Sequence, residues 1–219
     1  MTKNEIRTCV MAALALIALA LPLGRAVRAQ DVPMKVKGGH ELGETADQFF
    51  GEGHEKELLS KCASGDFKGL KKPTKHLAKV YCADLTGTRQ KAVDGKRVEY
   101  KVPGDTKELR KETFTFDHGH LVKVEIAYVE QSAQSNDEGK KFDDILTGVK
   151  AAYGPPTGES TKTIQNAYSL NYILHKDLWV AAHAAVIVEE QPAPDASIVV
   201  TAYTREEYDQ SQKTANPLE

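Results

Sequence analysis

Two histidines flank a glycine at His118, Gly119 and His120, and Asp117 precedes them. Imidazoles at this spacing beside a carboxylate have the chemistry to ligate a transition metal. The same Asp and Gly are also what a tight hairpin turn needs for its backbone. The turn is the reading adopted, and a metal site built on His118 and His120 stands as an alternative. His175 and His183 lie on or beside expected strands and read as satisfied sheet histidines, while His40 and His54 lie in glycine-bearing segments and are expected to face solvent.

Three cysteines are present, Cys9, Cys62 and Cys82. Cys9 lies in a segment with the layout of a cleavable export signal. Lys3 and Arg7 give a positive start, Val10 to Leu23 is apolar except for Pro22, and Val27 and Ala29 put small residues at a cleavage point after Ala29. The apolar run is about 14 residues, short of the roughly 20 that span a bilayer. Residues 1–29 are therefore expected to be removed, leaving an exported chain, periplasmic or extracellular, that starts at Gln30. Cys62 and Cys82 then remain as an even pair, which in an oxidising compartment reads as a disulfide. A metal site on the cysteines would need further ligands at short spacing.

Other chemistry has little to stand on. No serine lies in a nucleophile-elbow pattern, and the cysteines are assigned to each other. Asp143 and Asp144, like Glu189 and Glu190, are chain neighbours. Neighbours on a helix or strand point in different directions, so neither pair is a natural acid–base couple. Trp179 is the single tryptophan and reads as a core residue of a long strand. No cofactor is expected.

After removal of residues 1–29 the chain holds 25 Lys and Arg against 30 Asp and Glu, a net charge of −5. Residues 54–111 carry 15 basic and 8 acidic side chains, and residues 112–219 carry 8 and 17. Such asymmetry can mark a surface for an anionic partner; the reading preferred is solvated faces, or two halves that attract each other. Export and the lack of a binding motif argue against a nucleic-acid partner. No further apolar run is long enough to span a membrane in the mature chain.

The elements that must position these residues follow from local patterns. Thr45 and Gln48 form a capping box, in which each side chain satisfies a free backbone N–H at a helix start. Phe49 and Phe50 follow, Gly51 and Gly53 interrupt, and a second short helical piece carries Leu58 and Leu59 towards Cys62. Residues 64–75 read as a loop. Alternation of Leu77, Val80, Tyr81, Cys82 and Leu85 is read as a strand. Val98, Tyr100 and Val102 form a half-wet strand, and Phe114 and Phe116 pair with Val122 to Tyr128 across the Asp117–His120 turn. A second box, Ser135 and Glu138, opens a helix whose stripe is Phe142, Ile145, Leu146, Val149 and Ala152. Gly154 ends it and Pro155 and Pro156 forbid continuation. Tyr168 to Leu174, Leu178 to Val188 and Ile198 to Tyr203 read as strands, the middle one central. Beyond Arg205 a charged tail is expected, with a short helix possible.

The order of capped helix and then antiparallel strands occurs twice. The fold class is therefore α+β, with two tandem helix-plus-sheet units at 30–130 and 131–205 and a polar tail at 206–219. Leu42, Gly43, Glu44 and Thr45 before Phe49, the pair Cys62 and Cys82, Phe116 with Gly119, His120 and Leu121, and Tyr153, Gly154 and Pro155 carry a resemblance to the β-lactamase-inhibitor-protein-like tandem fold. One copy of that fold occurs in the small lipoproteins of the outer-membrane β-barrel assembly machine. The second unit departs from the inhibitor in lacking a cysteine pair. What the resemblance implies is a fold and a style of function, protein binding. The resulting expectation is a secreted or periplasmic non-enzymatic protein that binds another protein or an envelope component. A small envelope enzyme with a site assembled from scattered residues is the alternative from another class.

Overall fold

The computed structural model describes residues 39–65, 72–104, 108–129, 141–165, 169, 171–192 and 197–215. By its contacts the chain divides into Met1–Gln30 and Asp31–Glu219, and all of the described residues fall in the second unit. The export segment and the Ser135–Glu138 box lie outside the described residues.

Three helices open this unit: α1 at Ala46–Gly51, α2 at Gly53–Ser64 and α3 at Lys72–Val93. Strands β1 (Val98–Pro103), β2 (Leu109–Asp117) and β3 (His120–Val129) follow. Then come α4 (Phe142–Tyr153), β4 (Gly158–Gln165), β5 (Asn171–Val180), β6 (Ala184–Gln191), β7 (Ser197–Thr204) and α5 (Arg205–Ala215). The strands form one antiparallel sheet in the order β1-β2-β3-β7-β6-β5-β4. The fold is α+β. Each half is a meander whose last strand lies at the centre, where β3 pairs with β7 from Lys123↔Tyr203 to Val129↔Ser197.

Because side chains alternate across a strand, every second residue meets the helices. In the first half Tyr100, Phe114, Phe116, Leu121 and Val124 pack on Phe49, Phe50, Leu85 and Ala92. In the second half Trp179, Val186, Val188, Ile198 and Ala202 pack on the α4 stripe of Phe142, Ile145, Leu146, Val149 and Tyr153. The Thr45 capping box is present, with Gln48 N–H donating to Thr45 Oγ1 at 3.2 Å and Thr45 N–H to Gln48 Oε1 at 2.9 Å. Arg97 grips Glu207 of α5 through both terminal nitrogens and also donates to Asp117 at 3.0 Å.

Two of the expected strands differ. Residues 77–85 are not a strand but the middle of α3. Leu77, Tyr81 and Leu85 recur every four residues, which suits a helical face as well as an alternating strand. Leu85 and Ala92 enter the core, and Tyr81 reaches the Tyr100 hydroxyl at 3.2 Å. Leu178 to Val188 is not one central strand. It turns at 181–183, where Ala181 N–H donates to Ala184 O at 2.9 Å, and no Gly or Pro marks the turn. The tail beyond Arg205 is a helix held by Glu207, which is buried at 8% exposure. Cys62 of α2 and Cys82 of α3 lie at disulfide distance, with Cα atoms 5.4 Å apart.

Candidate functional site: a cleft beneath the fourth helix

The C-terminal end of α4 lies over Trp179. That side chain is 3% exposed, and its indole N–H donates to Gly154 O at 2.9 Å, which ties the end of α4 down. On the same face of β5, two and four residues earlier, are Asp177 and His175. Past Trp179 this face turns polar. Asp177, His175, Glu159 and Thr161 of β4 and Glu190 of β6 line a cleft of about 620 Å³ whose other wall is Phe142, Asp143, Leu146 and Lys150 of α4.

The charges in this cleft are not balanced in place. Glu159 and Asp177 are direct cross-strand partners, and like charges directly opposite one another destabilise a sheet. Lys150 lies 3.9 Å from Glu159. Glu190 is engaged, accepting the His175 backbone N–H at 2.8 Å. Asp177 is only 7% exposed, yet among the described residues no hydrogen bond or ion pair closes on its carboxylate. Burial, then repulsion from Glu159, push its pKa upward, while Lys150 and His175 pull it back. The His175 ring lies 5.6 Å from the Phe142 ring.

The opposite face is a contrast. There Glu99 meets Lys101 at 2.9 Å, Glu125 meets Lys123 at 3.2 Å and Lys111 at 3.5 Å, and Glu189 meets Lys176 at 3.2 Å. Glu189 and Glu190 thus serve opposite faces, as their adjacency requires. Asp143 lines the cleft, and α4 has Lys141 at its N-cap without a side-chain bond.

His118 is on the turn with φ 47° and a side chain 90% exposed, its Nδ1 3.2 Å from Asp117. His120 Nδ1 donates to Gly43 O at 3.0 Å. Among the described residues no three His, Cys, Asp or Glu are grouped to hold a metal ion.

His40 does not face solvent. It is 6% exposed, stacks on Phe49 at 4.0 Å, and lies 2.8 Å from Glu44 and 3.2 Å from Glu55. Burial works against its charge, but the hydrogen bond to Glu55 and the two carboxylate charges prevail and raise its pKa above the ordinary 6.5. A raised histidine pKa stabilises the fold most below the unfolded value near 6.5, and that stabilisation is lost as pH rises through the folded value. Urea unfolding midpoints are therefore expected to fall as pH rises above the ordinary 6.5, and His40→Gln is expected to flatten that fall. An unchanged pH profile in the variant would refute this role.

Signals for the cleft were weak in the sequence. β4, GESTKTIQ, has no apolar alternation, so neither it nor Glu159 stood out. Asp177 lay in an expected link between strands, and only the β4–β5 register reveals its partner. No protein-family model matches the chain, and neither a curated protein nor a solved structure matches it at a significant level.

Proposed function

We propose that this protein is an exported, non-enzymatic binding protein and that the cleft beneath α4 receives a cationic group of its partner, a lysine ammonium or an arginine guanidinium. The observation that carries this reading is Asp177, a residue 7% exposed whose carboxylate opens onto the cleft beside its acidic cross-strand neighbour Glu159, with no bond to it among the described residues. Buried charge is costly unless paired, and an incoming cation would supply the missing pair. Support for export comes from the N-terminal residue pattern and from the cysteine pair at disulfide distance. No helix among the described residues is long and apolar enough to cross a membrane. The resemblance to the tandem inhibitor fold also implies protein binding.

The test is titration of N-acetyl-arginine methylamide, with the glutamate analogue as control, followed by amide chemical shifts. Shifts should concentrate at Asp143–Lys150, Glu159–Thr161 and His175–Asp177 with the arginine probe alone, and vanish in Asp177→Asn. Asp177→Asn should at the same time raise stability at pH 7 by about 0.5–2 kcal/mol, the usual yield when a strained functional group is relieved. The sign follows from the raised pKa: the ionised form is disfavoured by the fold, so the penalty is absent below the unfolded value near 3.8 and grows as pH rises through the folded one. Destabilisation by Asp177→Asn, or equal shifts with both probes, would defeat the assignment.

A further inference from the structure

One wall of the cleft is a sheet edge. β4 is the last strand in the order, paired on one side with β5 through eight consecutive residues from Gly158↔Leu178 to Gln165↔Asn171, without a register shift. Every residue from Glu159 to Thr163 is exposed. In an antiparallel strand alternate residues turn their N–H and C=O groups away from the paired neighbour, so the outer side of β4 presents a row of backbone donors and acceptors. Protected edges are short, bulged, or carry proline and inward charge. The other edge, β1, is six residues long and ends in Pro103. β4 is eight residues long and has no proline or bulge; its guards are Lys162 and the inward charge of Glu159, and a basic side chain from an added strand would neutralise the latter. Lys162 lies on the face away from the cleft.

The edge and the cleft are continuous, because Glu159, Ser160 and Thr161 belong to both. A strand laid beside β4 would place alternate side chains on the cleft face. From there Asp177 is two strand spacings away, roughly 10 Å, a span that a lysine or arginine stem and the aspartate side chain cover together. Main-chain bonding would give affinity, and the basic side chain would give selection, the usual division in strand addition.

We infer that β4 is a docking edge for an extended segment of another protein, and that this segment carries a lysine or arginine whose cation enters the cleft to meet Asp177. The inference rests on the cleft reading above but goes beyond it, since a cation could enter without a strand being added. The lining, four carboxylates against Lys141 and Lys150, favours a basic occupant over a second copy of β4, whose cleft-face residues Glu159, Thr161, Thr163 and Gln165 bring no cation.

The experiment uses an octapeptide of alternating Thr and Val with one central Arg, a version with Glu in that place, and an Arg version N-methylated at alternate backbone positions. Hydrogen exchange at Gly158–Gln165 is read with each, alongside the arginine methylamide titration. The Arg peptide should slow exchange in β4, and both N-methylation and Asp177→Asn should weaken its binding by about tenfold, as expected for the loss of one or two hydrogen bonds or a charge pair. N-methylation alters the peptide alone, so that arm does not depend on a variant's folding. If the methylamide perturbs the cleft while the peptide leaves β4 exchange unchanged, strand addition is wrong and the cleft reading survives. If neither probe acts, both fail. Equal protection by the Glu peptide would overturn the basic partner, and protection that grows with protein concentration alone would make β4 a self-association edge instead.

Discussion

Phe49→Ala is expected to lower the unfolding free energy by about 3–5 kcal/mol, the usual range for a buried phenylalanine. Phe49 is 0% exposed. Its ring lies 5.0 Å from Phe50, 4.9 Å from Phe114 and 5.0 Å from Phe116, all edge-on, and 4.0 Å from His40 in a stack. Edge-to-face pairs are worth more than their buried area, so truncation removes both the packing and the arrangement. The cavity would also open beside the His40–Glu55 contact and expose that buried pair. Against a typical domain stability of about 5–15 kcal/mol this is a large fraction. Urea denaturation followed by circular dichroism gives the measurement, and Leu77→Ala serves as its control. Leu77 is 66% exposed, and a surface change of that kind stays within about 0.5 kcal/mol. Comparable losses at the two positions would contradict the assigned core.

The second large effect concerns Cys62 and Cys82. Replacing both by alanine is expected to cost about 3 kcal/mol, since the cross-link closes a loop across a sequence separation of 20. Their Cα separation of 5.4 Å falls in the range a disulfide requires. The bond would join α2 to α3, and the first half has reason to depend on it. α2 buries little beyond Glu55, while Leu58, Leu59 and Cys62 are only partly covered against the first core cluster. Leu77 and Val80 in the N-terminal part of α3 remain exposed at 66% and 54%. Hydrogen exchange in the double variant should therefore quicken in α2 and α3 and change little in α4, β5 and β6. Uniform quickening, or no loss of stability, would sink the claim, and free thiols in protein recovered from the exported fraction would remove its premise. Because Cys62 packs on the cluster that contains Phe49, the two substitutions together should fall short of the sum of their separate costs.

Both effects fall in the first half of the sheet, whereas the candidate site lies in the second. That separation makes the functional tests interpretable: Asp177→Asn touches neither the aromatic cluster nor the cysteine pair. It also explains why stability and recognition can be read from different residues of one continuous sheet.

Local chemistry was legible in the residues alone. The Thr45–Gln48 box, the stripe from Phe142 to Val149, the stop at Gly154 and the hairpin around Gly119 each depend on bonds or spacings within a few positions, and so does the α+β class that they add up to. Tertiary structure alone decided the rest. Leu77, Tyr81 and Leu85 fit a strand or a helix equally by spacing, and the packing of Leu85 and Tyr81 on the first core cluster chose the helix, with Leu77 left exposed. The turn at 181–183 has no glycine or proline, and the pairing of β5 with β6 made it. β4 is polar on both faces, so only its ladder with β5 makes it a strand. His40 became buried because α2 brought Glu55, fifteen residues away, to its ring. The cleft needs Lys150, Glu159, Asp177 and Glu190 from four different elements. Periodicity and capping act over a turn or a strand, while the desolvation and charge of Asp177 are set by side chains that the chain reaches only after it has folded.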